Sequence, residues 1–579
     1  MKYTRSKFII GFSLILLVMS LAGCNSTELP PATSLDLPNI YPPASYAPNN
    51  TSPFQAHLNQ AISQNSHAAY LLETGDDALL ARIHLIQQAK HSIDVQTFIW
   101  AGDSTGGFFF HELWQAAKRG VKVRLLIDDL SLRGISDYVA YLATLHPNIV
   151  IKHYNPLVEN INASLLDLIK GYGFNFQQAN RRMHNKVMIV DGLFGITGGR
   201  NYADDYFDRG IDRSFKDRDI LISGKAVSDM SNSFEAYWLY ELSVPSLDMA
   251  DIERRVETNT IAIPDIEIQN YQAPMGFTAL LKCALSNICM EERIVRFGRI
   301  IEHIEFIADP PGKFAAGDEF AKTSRRIAGS ILNAKHSVIM QTPYLVIDDY
   351  GTELFSSIHK NNADLKVIVS SNSLASADHF AAYAYSFENK KKYLKQFNWQ
   401  IHELKPSPSD LSAMVPTIDG IVRSASHYTS IHAKTYIVDD ETVWIGSFNL
   451  DPRSITLNTE ASLLIEDNLL ASQVKQLIYN ATAPKNSWTI GARERTPILG
   501  AISGLLESVF KRIPFFNVWP FHYATSFELN PGARHVPFSH QDFHNNYHAV
   551  GQFPGTGLSA KGVKARITKA FFGPWEPLI

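Results

Sequence analysis

Two stretches of the chain carry the same polar residues at the same spacing. The first has His184, Lys186, Asp191 and Asn201, and the second repeats the pattern 248 residues later. An imidazole can attack phosphorus or transfer a proton, and a lysine ammonium or asparagine amide can neutralise the oxygens of a phosphodiester. A single His-x-Lys step is usually a surface strand, but two copies with matched Asp and Asn are hard to assign to chance. The second set consists of His432, Lys434, Asp439 and Asn449.

The spacing within each set places the histidine and lysine on one face of a strand. Because side chains alternate faces along a strand, His184 and Lys186 point the same way. Asp191 falls where that strand ends and can accept hydrogen bonds that fix the turn; both aspartates are included among the candidate catalytic residues. The tight loop that follows returns Asn201 to the same rim, where it can donate to an oxyanion.

A further repeat indicates that the motif belongs to a duplicated unit. Residues Ala89–Trp100 and Ala334–Leu345 share Ala, Lys, His, Ser, Gln and Thr at a shift of 245 residues. Around both, short β-rich runs alternate with helical patterns, which predicts α/β layers with strands buried on both faces. Two such halves related by a pseudo-twofold axis would share one pocket. There one imidazole attacks phosphorus and the other protonates the departing alcohol, without a metal or cofactor.

The pattern H-x-K-x4-D-x6-G-[SG]-x-N, present twice, resembles the phospholipase D superfamily. The neighbouring sequences "VQTFIW", "RGVKVRLLIDD" and "YNPL" are similar to those of bacterial cardiolipin synthases of the C-type branch. The resemblance covers about residues 68 to 490. It implies two pseudo-symmetric α/β/α sandwich halves with the active site at their interface, and phosphatidyl transfer through a phosphohistidine.

The resemblance also implies a role for each repeated residue. His184 would be the nucleophile, and His432 would act first as the acid and then as the base. The near-symmetry of the two halves leaves the opposite order open. Lys186 and Lys434 would bind phosphate.

Members of the superfamily use a downstream carboxylate to orient each imidazole. In the first half the matching residue is Asp217, with Asp219 as the alternative, and in the second half it is Glu460. A surface salt bridge is the other interpretation of these acids. The copies depart from each other at Gly199, where the second copy has Ser447, so one side lacks a hydroxyl.

The N-terminus has the layout of an export signal. A positive start and the short apolar run Phe8–Met19 are followed by "LAGC", which resembles a bacterial lipoprotein signal. On that resemblance Cys24 is lipidated and becomes the first residue of the mature chain; an uncleaved anchor helix is the alternative. The protein is therefore expected in the cell envelope, on the periplasmic face in a Gram-negative bacterium. Asn25 then favours the outer membrane.

Two features outside the repeats stay open at this point. Cys283 and Cys289 can pair in an exported protein. Six residues apart in one helix, they would lie on different faces, so a disulfide requires a bend in the chain. Residues Thr496–Pro514 predict an apolar helix that either docks on the body or lies in a lipid interface. The predicted segments are a signal peptide (1–23), a Pro-rich tether (24–65), a first half (66–255), a second half (256–490) and a C-terminal extension (491–579).

Composition favours lipid over nucleic acid as the partner. The net charge is −4 and aromatic residues make up 11%, without the basic excess of a nucleic-acid-binding protein. The first hypothesis is a phosphatidyltransferase that forms cardiolipin from phosphatidylglycerol or phosphatidylethanolamine at a membrane surface. The second is a hydrolase of the same fold, either a phospholipase D or a nuclease. The third is a lipoprotein that binds lipid without catalysis.

Overall fold

The computed structural model describes most of the chain, with gaps at both ends and in several loops. Cys24, most of the predicted tether and the predicted helix Thr496–Pro514 lie outside the described residues. No helix within the described part combines the length and the hydropathy that a bilayer crossing requires. The described residues are 52–164, 167, 178, 180–263, 267–272, 274–313, 321–416, 418, 420–493 and 523–557.

Nine strands that lie between residues 67 and 301 form a first mixed sheet. With the short β5 and β8, which lie outside this sheet, the strands in chain order are β1 (His67–Leu72), β2 (Ser92–Thr97), β3 (Lys122–Asp128), β4 (Ile149–Tyr154), β5 (Arg182–Met183), β6 (Val187–Val190), β7 (Phe194–Gly198), β8 (Arg213–Lys216), β9 (Asp219–Gly224), β10 (Ser243–Pro245) and β11 (Arg299–Ile301). The order across the sheet is β10-β4-β3-β2-β6-β7-β9-β1-β11. β2, β3 and β4 are parallel, and β6 is antiparallel to β2.

Ten later strands form a second sheet that repeats the plan of the first. With the short β16 and β19, they are β12 (His303–Ala308), β13 (Ser337–Gln341), β14 (Lys366–Asn372), β15 (Gln400–Leu404), β16 (Tyr428–Ile431), β17 (Lys434–Val438), β18 (Thr442–Gly446), β19 (Asn458–Thr459), β20 (Ala461–Glu466), β21 (Ser487–Ala492), β22 (Ala524–Leu529) and β23 (Tyr547–Gly551). The order is β12-β20-β18-β17-β13-β14-β15-β21-β22-β23. Its run β15-β14-β13-β17-β18-β20-β12 matches β4-β3-β2-β6-β7-β9-β1, which confirms the predicted duplicated α/β fold.

Helices connect the strands and cover the sheets. In chain order they are α1 (Gln55–Ser63), α2 (Gly75–Gln88), α3 (Ser104–Lys118), α4 (Asp129–Leu132), α5 (Ser136–Thr144), α6 (Ala226–Trp238), α7 (Ala250–Glu257), α8 (Met275–Ala284), α9 (Asn287–Arg293), α10 (Lys322–Leu332), α11 (Asp349–Asn361), α12 (Phe380–Lys391), α13 (Leu411–Met414), α14 (Pro452–Thr456), α15 (Asn468–Thr482) and α16 (Phe543–Asn546). Several begin at a capping carboxylate, such as Asp103 before α3 and Asp467 before α15.

One apolar core joins the two halves. It combines side chains from the first sheet, such as Ile189 and Ile222, with side chains from the second, such as Ile437 and Leu463. Residues of α6 and α15 complete it, including the fully buried Phe234. Because neither sheet buries this face alone, the hydrophobic effect favours a fixed interface between the halves. That interface is where the repeated motifs meet.

Helices and strands extend across three of the predicted segment boundaries. The polar-looking end of the tether contains α1, which packs through the buried Phe54 and Leu58. Residues after 255 stay with the first half, because β11 pairs with β1 and the second sheet begins only at His303. The second sheet in turn continues beyond residue 490 through β22 and β23. A boundary taken from the repeat could not show strands that lie outside the repeated unit.

The two remaining cysteines form a disulfide. The Cα atoms of Cys283 and Cys289 are 5.3 Å apart. The chain bends between α8 and α9, where the Ser286 side chain accepts the backbone N–H of Cys289 and starts the second helix. The bend that such a bridge requires is therefore present.

Candidate active site

Two short parallel strand pairs connect the halves beside the repeated motifs. β5 of the first half pairs with β19 of the second, and β16 of the second pairs with β8 of the first. The chain leaves β5 at His184 and β19 at Glu460, so these residues emerge side by side. In the same way β16 leads to His432 and β8 leads to Asp217. Backbone pairing alone thus brings each histidine next to an acid from the other half.

Each imidazole is held by the carboxylate of the opposite half. Nδ1 of His184 lies 3.0 Å from Oε2 of Glu460, and Nδ1 of His432 lies 2.6 Å from Oδ2 of Asp217. Both carboxylates are buried. With Nδ1 of His184 engaged, Nε2 is the nitrogen of that ring left for chemistry. Asp219, the alternative to Asp217, forms an ion pair with Arg82 at 2.8 Å instead.

The two lysines lie beside their histidines and are buried. Lys186 donates to the carbonyl of His184 at 2.6 Å. Lys434 donates to the carbonyl of His432, and its Nζ is also 3.0 Å from Nε2 of that ring. Burial lowers the pKa of Lys186 to about 7 and that of Lys434 to about 8. Within the described residues, no group of three or more His, Cys, Asp or Glu side chains is arranged to hold a metal ion.

The charges of the two motifs act on each other. Burial lowers the pKa of His184 to about 4; Glu460 opposes this shift, while Lys186 and Lys434 add to it. The effect of Lys434 crosses the interface. Burial also lowers the pKa of His432 to about 4, and there Lys434 adds to the shift while Asp217 opposes it. Both imidazoles are therefore neutral at pH 7, and the two motifs form one electrostatic cluster.

The acids keep their negative charge despite burial. Burial acts to raise the pKa of Asp217, but His432 and Lys434 more than offset it, so the pKa falls below its ordinary value. Burial also acts to raise the pKa of Glu460, but His184, Lys186 and Ser447 more than offset it, so this pKa is lowered as well. A carboxylate that stays ionised can stabilise an imidazolium as it forms.

Asn201 and Asn449 are both buried near the motifs. Oδ1 of Asn201 accepts the backbone N–H of Ile99 at 3.1 Å, which orients the amide. Oδ1 of Asn449 has no hydrogen-bond partner among the residues that the structure describes. The expected donation to an oxyanion stays a prediction.

Asp191 and Asp439 do not reach the imidazoles, which corrects their place among the catalytic candidates. Each begins the turn at the far end of the motif strand, roughly 16 Å from the lysine at a strand rise of about 3.3 Å per residue. Both have a positive φ, 53° and 55°. Their carboxylates accept the backbone N–H groups that open the neighbouring strand, so they fix the turn. The donors are Lys90, His91 and Ser92 to Asp191, and Lys335, His336 and Ser337 to Asp439.

Gly199 stands where the second copy has Ser447, and the nearby Asp217 requires a glycine at this position. The Ser447 hydroxyl donates to Oε2 of Glu460 and accepts the N–H of Ala461 at 3.0 Å. A Cβ at Gly199 would lie 2.2 Å from Oδ1 of Asp217. The aspartate carboxylate, on a shorter side chain, occupies the space that a serine would need. The pairs Gly199–Asp217 and Ser447–Glu460 are thus two solutions to the same packing problem.

Aromatic side chains that the motif analysis missed surround the imidazoles. The Phe98 ring centroid is 5.4 Å from that of His184, and the rings of Tyr206 and Phe215 are each 5.0 Å from His432. Phe98 lies within a repeated stretch, but the second copy has Pro343 at the matching position, so the repeat did not single it out. Tyr206 and Phe215 lie in segments without a matched copy in the sequence.

The crossed pairing can be tested by exchanging each acid for its amide. We expect Asp217→Asn to remove the low-field Nδ1 proton resonance of His432 and to leave that of His184, because an amide oxygen is a weaker acceptor than a carboxylate. Glu460→Gln should do the converse. Proton NMR of protein labelled with ¹⁵N-histidine makes the measurement, and each variant is the control for the other. An Asp217→Asn protein that loses the His184 resonance would contradict the crossed arrangement.

Exchanging the small residues tests the packing argument. Gly199→Ser should lower the free energy of unfolding by about 1–3 kcal/mol, the usual range for overpacking, and should displace Asp217 from His432. Ser447→Gly removes one hydrogen bond to Glu460 and should keep the His184 resonance. Denaturant unfolding and the same histidine spectra provide the readouts. If Gly199→Ser unfolds like the unmodified protein and keeps the His432 resonance, the steric explanation fails.

Comparisons with known proteins agree with this duplicated site. The family described as "Cardiolipin synthase, PLD-like domain" matches residues 82–238 and again residues 327–481. Cardiolipin synthase C of Escherichia coli (strain K12) is 32% identical over 417 residues, which cover 70% of this chain and 82% of that protein. Cardiolipin synthase 1 of Staphylococcus aureus (strain MRSA252) is 23% identical over 72% of this chain and 67% of its own.

A solved phosphatidylserine synthase of Haemophilus influenzae Rd KW20 aligns with 74% of this chain and 91% of its own, at 15% identity and a TM-score of 0.48. The two matched family ranges contain both motifs, with their two histidines and two lysines, and both carboxylates. The chain therefore belongs to the cardiolipin synthase family with phospholipase D-like domains, and it carries that domain twice.

Proposed function

We propose that this protein is a phosphatidyltransferase that forms cardiolipin from glycerophospholipids through a phosphohistidine on His184. The observation that carries the proposal is the pair of buried histidine–carboxylate contacts built from opposite halves. In-line transfer at a phosphodiester requires one neutral imidazole as the nucleophile and a second imidazole that can carry the proton, with lysine charge beside the phosphate oxygens. Family membership and the similarity to cardiolipin synthase C support a phospholipid as the substrate.

In the first step the phosphatidyl group moves to the enzyme. Glu460 holds Nδ1 of His184, so the Nε2 lone pair attacks phosphorus. The N–P bond forms while the bond from phosphorus to the departing alcohol oxygen breaks. His432 gives the proton that this oxygen needs. The phosphodiester charge favours the protonated form of His432, and Asp217 stabilises it.

In the second step the phosphatidyl group moves to an acceptor. The neutral His432 takes the proton of an incoming alcohol, whose oxygen attacks phosphorus as the N–P bond to His184 breaks. The electron pair of that bond returns to the imidazole, and the enzyme is restored. With phosphatidylglycerol as the acceptor the product is cardiolipin, whereas with water it is phosphatidic acid. The apolar rings of Phe98 and Phe215 beside the histidines support transfer, because they limit the room for water.

The decisive experiment incubates the purified protein with phosphatidylglycerol and phosphatidylethanolamine, without added metal, and identifies the lipid products by mass spectrometry. Cardiolipin supports the proposal. Phosphatidic acid alone would make the protein a hydrolase, and salt-sensitive cleavage of DNA without lipid turnover would make it a nuclease. If no substrate is turned over, the proposed activity fails and the non-catalytic alternative is favoured.

Histidine variants test the assignment of roles. His184→Ala and His432→Ala should each lose at least about 10³-fold in turnover of natural lipids, because residues of one catalytic unit fail together. A phosphatidyl ester of nitrophenol needs no acid, so His432→Ala should still form a phosphohistidine on it and His184→Ala should not. Intact-protein mass spectrometry detects the adduct. His91→Ala, an exposed histidine within the repeat, is the matched control. An adduct in His184→Ala alone would reverse the two roles.

We also propose that the protein is lipid-anchored in the cell envelope through Cys24. The lipoprotein-like "LAGC" sequence and the Cys283–Cys289 disulfide support an oxidising location outside the cytoplasm. We expect Cys24→Ser to move the protein from the membrane fraction to a soluble or uncleaved form. The double variant Cys283→Ser/Cys289→Ser should stay in the membrane fraction. Mass spectrometry of the N-terminal peptide gives the check, since an unmodified Cys24 still joined to Gly23 would overturn the anchor.

A further inference from the structure

A buried carboxylate oxygen without a partner lies at the edge of the active site. Asp378 comes just before α12, and its Oδ2 accepts the hydroxyl of Tyr344 at 3.0 Å. Its Oδ1 is buried and has no hydrogen-bond partner among the residues that the structure describes. Leaving a buried carboxylate oxygen unsatisfied is unfavourable. The geometry therefore calls for a hydrogen-bond donor at this position.

The carboxylate of Asp378 belongs to the side of the site where His432 lies. Burial lowers the pKa of Lys434, and Asp217 and Asp378 are the two charges that oppose this most. At His432 the charge of Asp378 likewise opposes the lowering of the pKa by burial. The charge of Asp378, in the second half, also acts to raise the pKa of Tyr206, whose ring packs on His432. The charge of Asp378 therefore reaches the imidazole that handles the alcohol proton.

A small cleft lies next to this carboxylate. Its lining includes Tyr344, which holds Asp378, and the two neighbours of Asp378 in the chain, Ala377 and His379. Asn372 also lines the cleft and binds the backbone of Ile431, the residue before His432. Oδ1 of Asn372 accepts the N–H of Ile431 at 2.7 Å, and Nδ2 donates to the Ile431 carbonyl at 2.8 Å. One wall of the cleft is thus connected directly to the strand that ends at His432.

We propose that Asp378, held by Tyr344, binds the alcohol group that leaves or enters during phosphatidyl transfer. Ethanolamine and glycerol head groups share one chemical feature, a hydrogen-bond donor on the carbon next to the one that bears the ester oxygen. That donor is an ammonium in ethanolamine and a hydroxyl in glycerol. Asp378 accepts it through Oδ1. The inference rests on the proposed function and adds to it the residue that selects the alcohol.

The placement of the charge explains how selection aids the reaction. Lys186 and Lys434 attract the phosphate oxygens, while a carboxylate on the His432 side attracts the donor group of the head group. A substrate held at both points presents its ester oxygen to His432, and such orientation lowers the barrier. An alcohol without the donor leaves Asp378 unsatisfied and is disfavoured.

The test compares head groups that differ only in this donor. Release of the head group is measured for phosphatidylethanolamine, phosphatidylglycerol, phosphatidylcholine and phosphatidylethanol, each in vesicles of otherwise identical composition. Choline carries a charge but no N–H, and ethanol carries neither. Asp378→Ala should lower kcat/KM about 10–100-fold for the first two lipids, the usual effect of losing a hydrogen bond to a charged group, and leave the last two within about twofold.

Three further variants sharpen the result. Asp378→Asn keeps the shape and one acceptor oxygen but loses the charge, so it should slow ethanolamine release more than glycerol release. Tyr344→Phe frees Oδ2 and should weaken the same preference. Asp364→Ala removes an exposed carboxylate of the same half and is the control, with thermal unfolding of every variant measured beside it.

Equal loss with all four lipids, together with a shifted pH profile, would show that Asp378 acts only on His432 and would overturn the inference. An unchanged preference in both Asp378 variants would overturn it as well. If the unmodified protein releases no head group from any of the four lipids, the proposed function fails and the inference with it. The failure of the inference alone is therefore distinguishable from the failure of the function.

Discussion

The hydrogen bonds from His184 to Glu460 and from His432 to Asp217 are the contacts on which the site depends, because each crosses between the halves. Neither half contains a complete pair, so neither can orient its own imidazole. The interface must form first, and the parallel pairings β5–β19 and β8–β16 guide the residues to their partners. Burying an ionised acid is costly unless it is paired and hydrogen-bonded. The crossed pairs therefore make correct assembly of the halves a condition for a satisfied active site.

Other buried polar contacts hold the same interface. Arg218, from the first half, donates to Gln341 and Thr435 of the second and forms an ion pair with Glu73 at 2.7 Å. On the other side Asp309 accepts the backbone N–H of Glu460 at 3.0 Å and so fixes the acid that holds His184. These contacts differ between the two sides. The pseudo-twofold axis relates the strands and the motifs but not the groups that support them, and that difference allows the two histidines to have distinct roles.

The unequal surroundings agree with the proposed division of labour. His432 has the shorter contact to its carboxylate, and the charge of Asp378 also acts on it. Both favour an imidazolium, as the acid of the first step requires, while Lys434 opposes it. At His184 the charges of Lys186 and Lys434 likewise disfavour the protonated form. A nucleophile must keep its lone pair, so a neutral His184 suits the attack on phosphorus.

The sequence predicted the duplicated α/β fold and the repeated His and Lys, because spacing and alternation carry that information. It also predicted that Asp191 fixes the turn at the strand end, which the hydrogen bonds of Asp191 confirm, but the motif alone did not separate that role from catalysis. It could not show the crossing either: in a duplicated chain, pairing within a half and pairing between halves use the same residues. The difference between the two copies did carry a signal for how each acid is packed. Gly199 accompanies Asp217 and Ser447 accompanies Glu460, so each half builds a fitted cradle for its acid. That each acid holds the histidine of the other half is visible only in the structure.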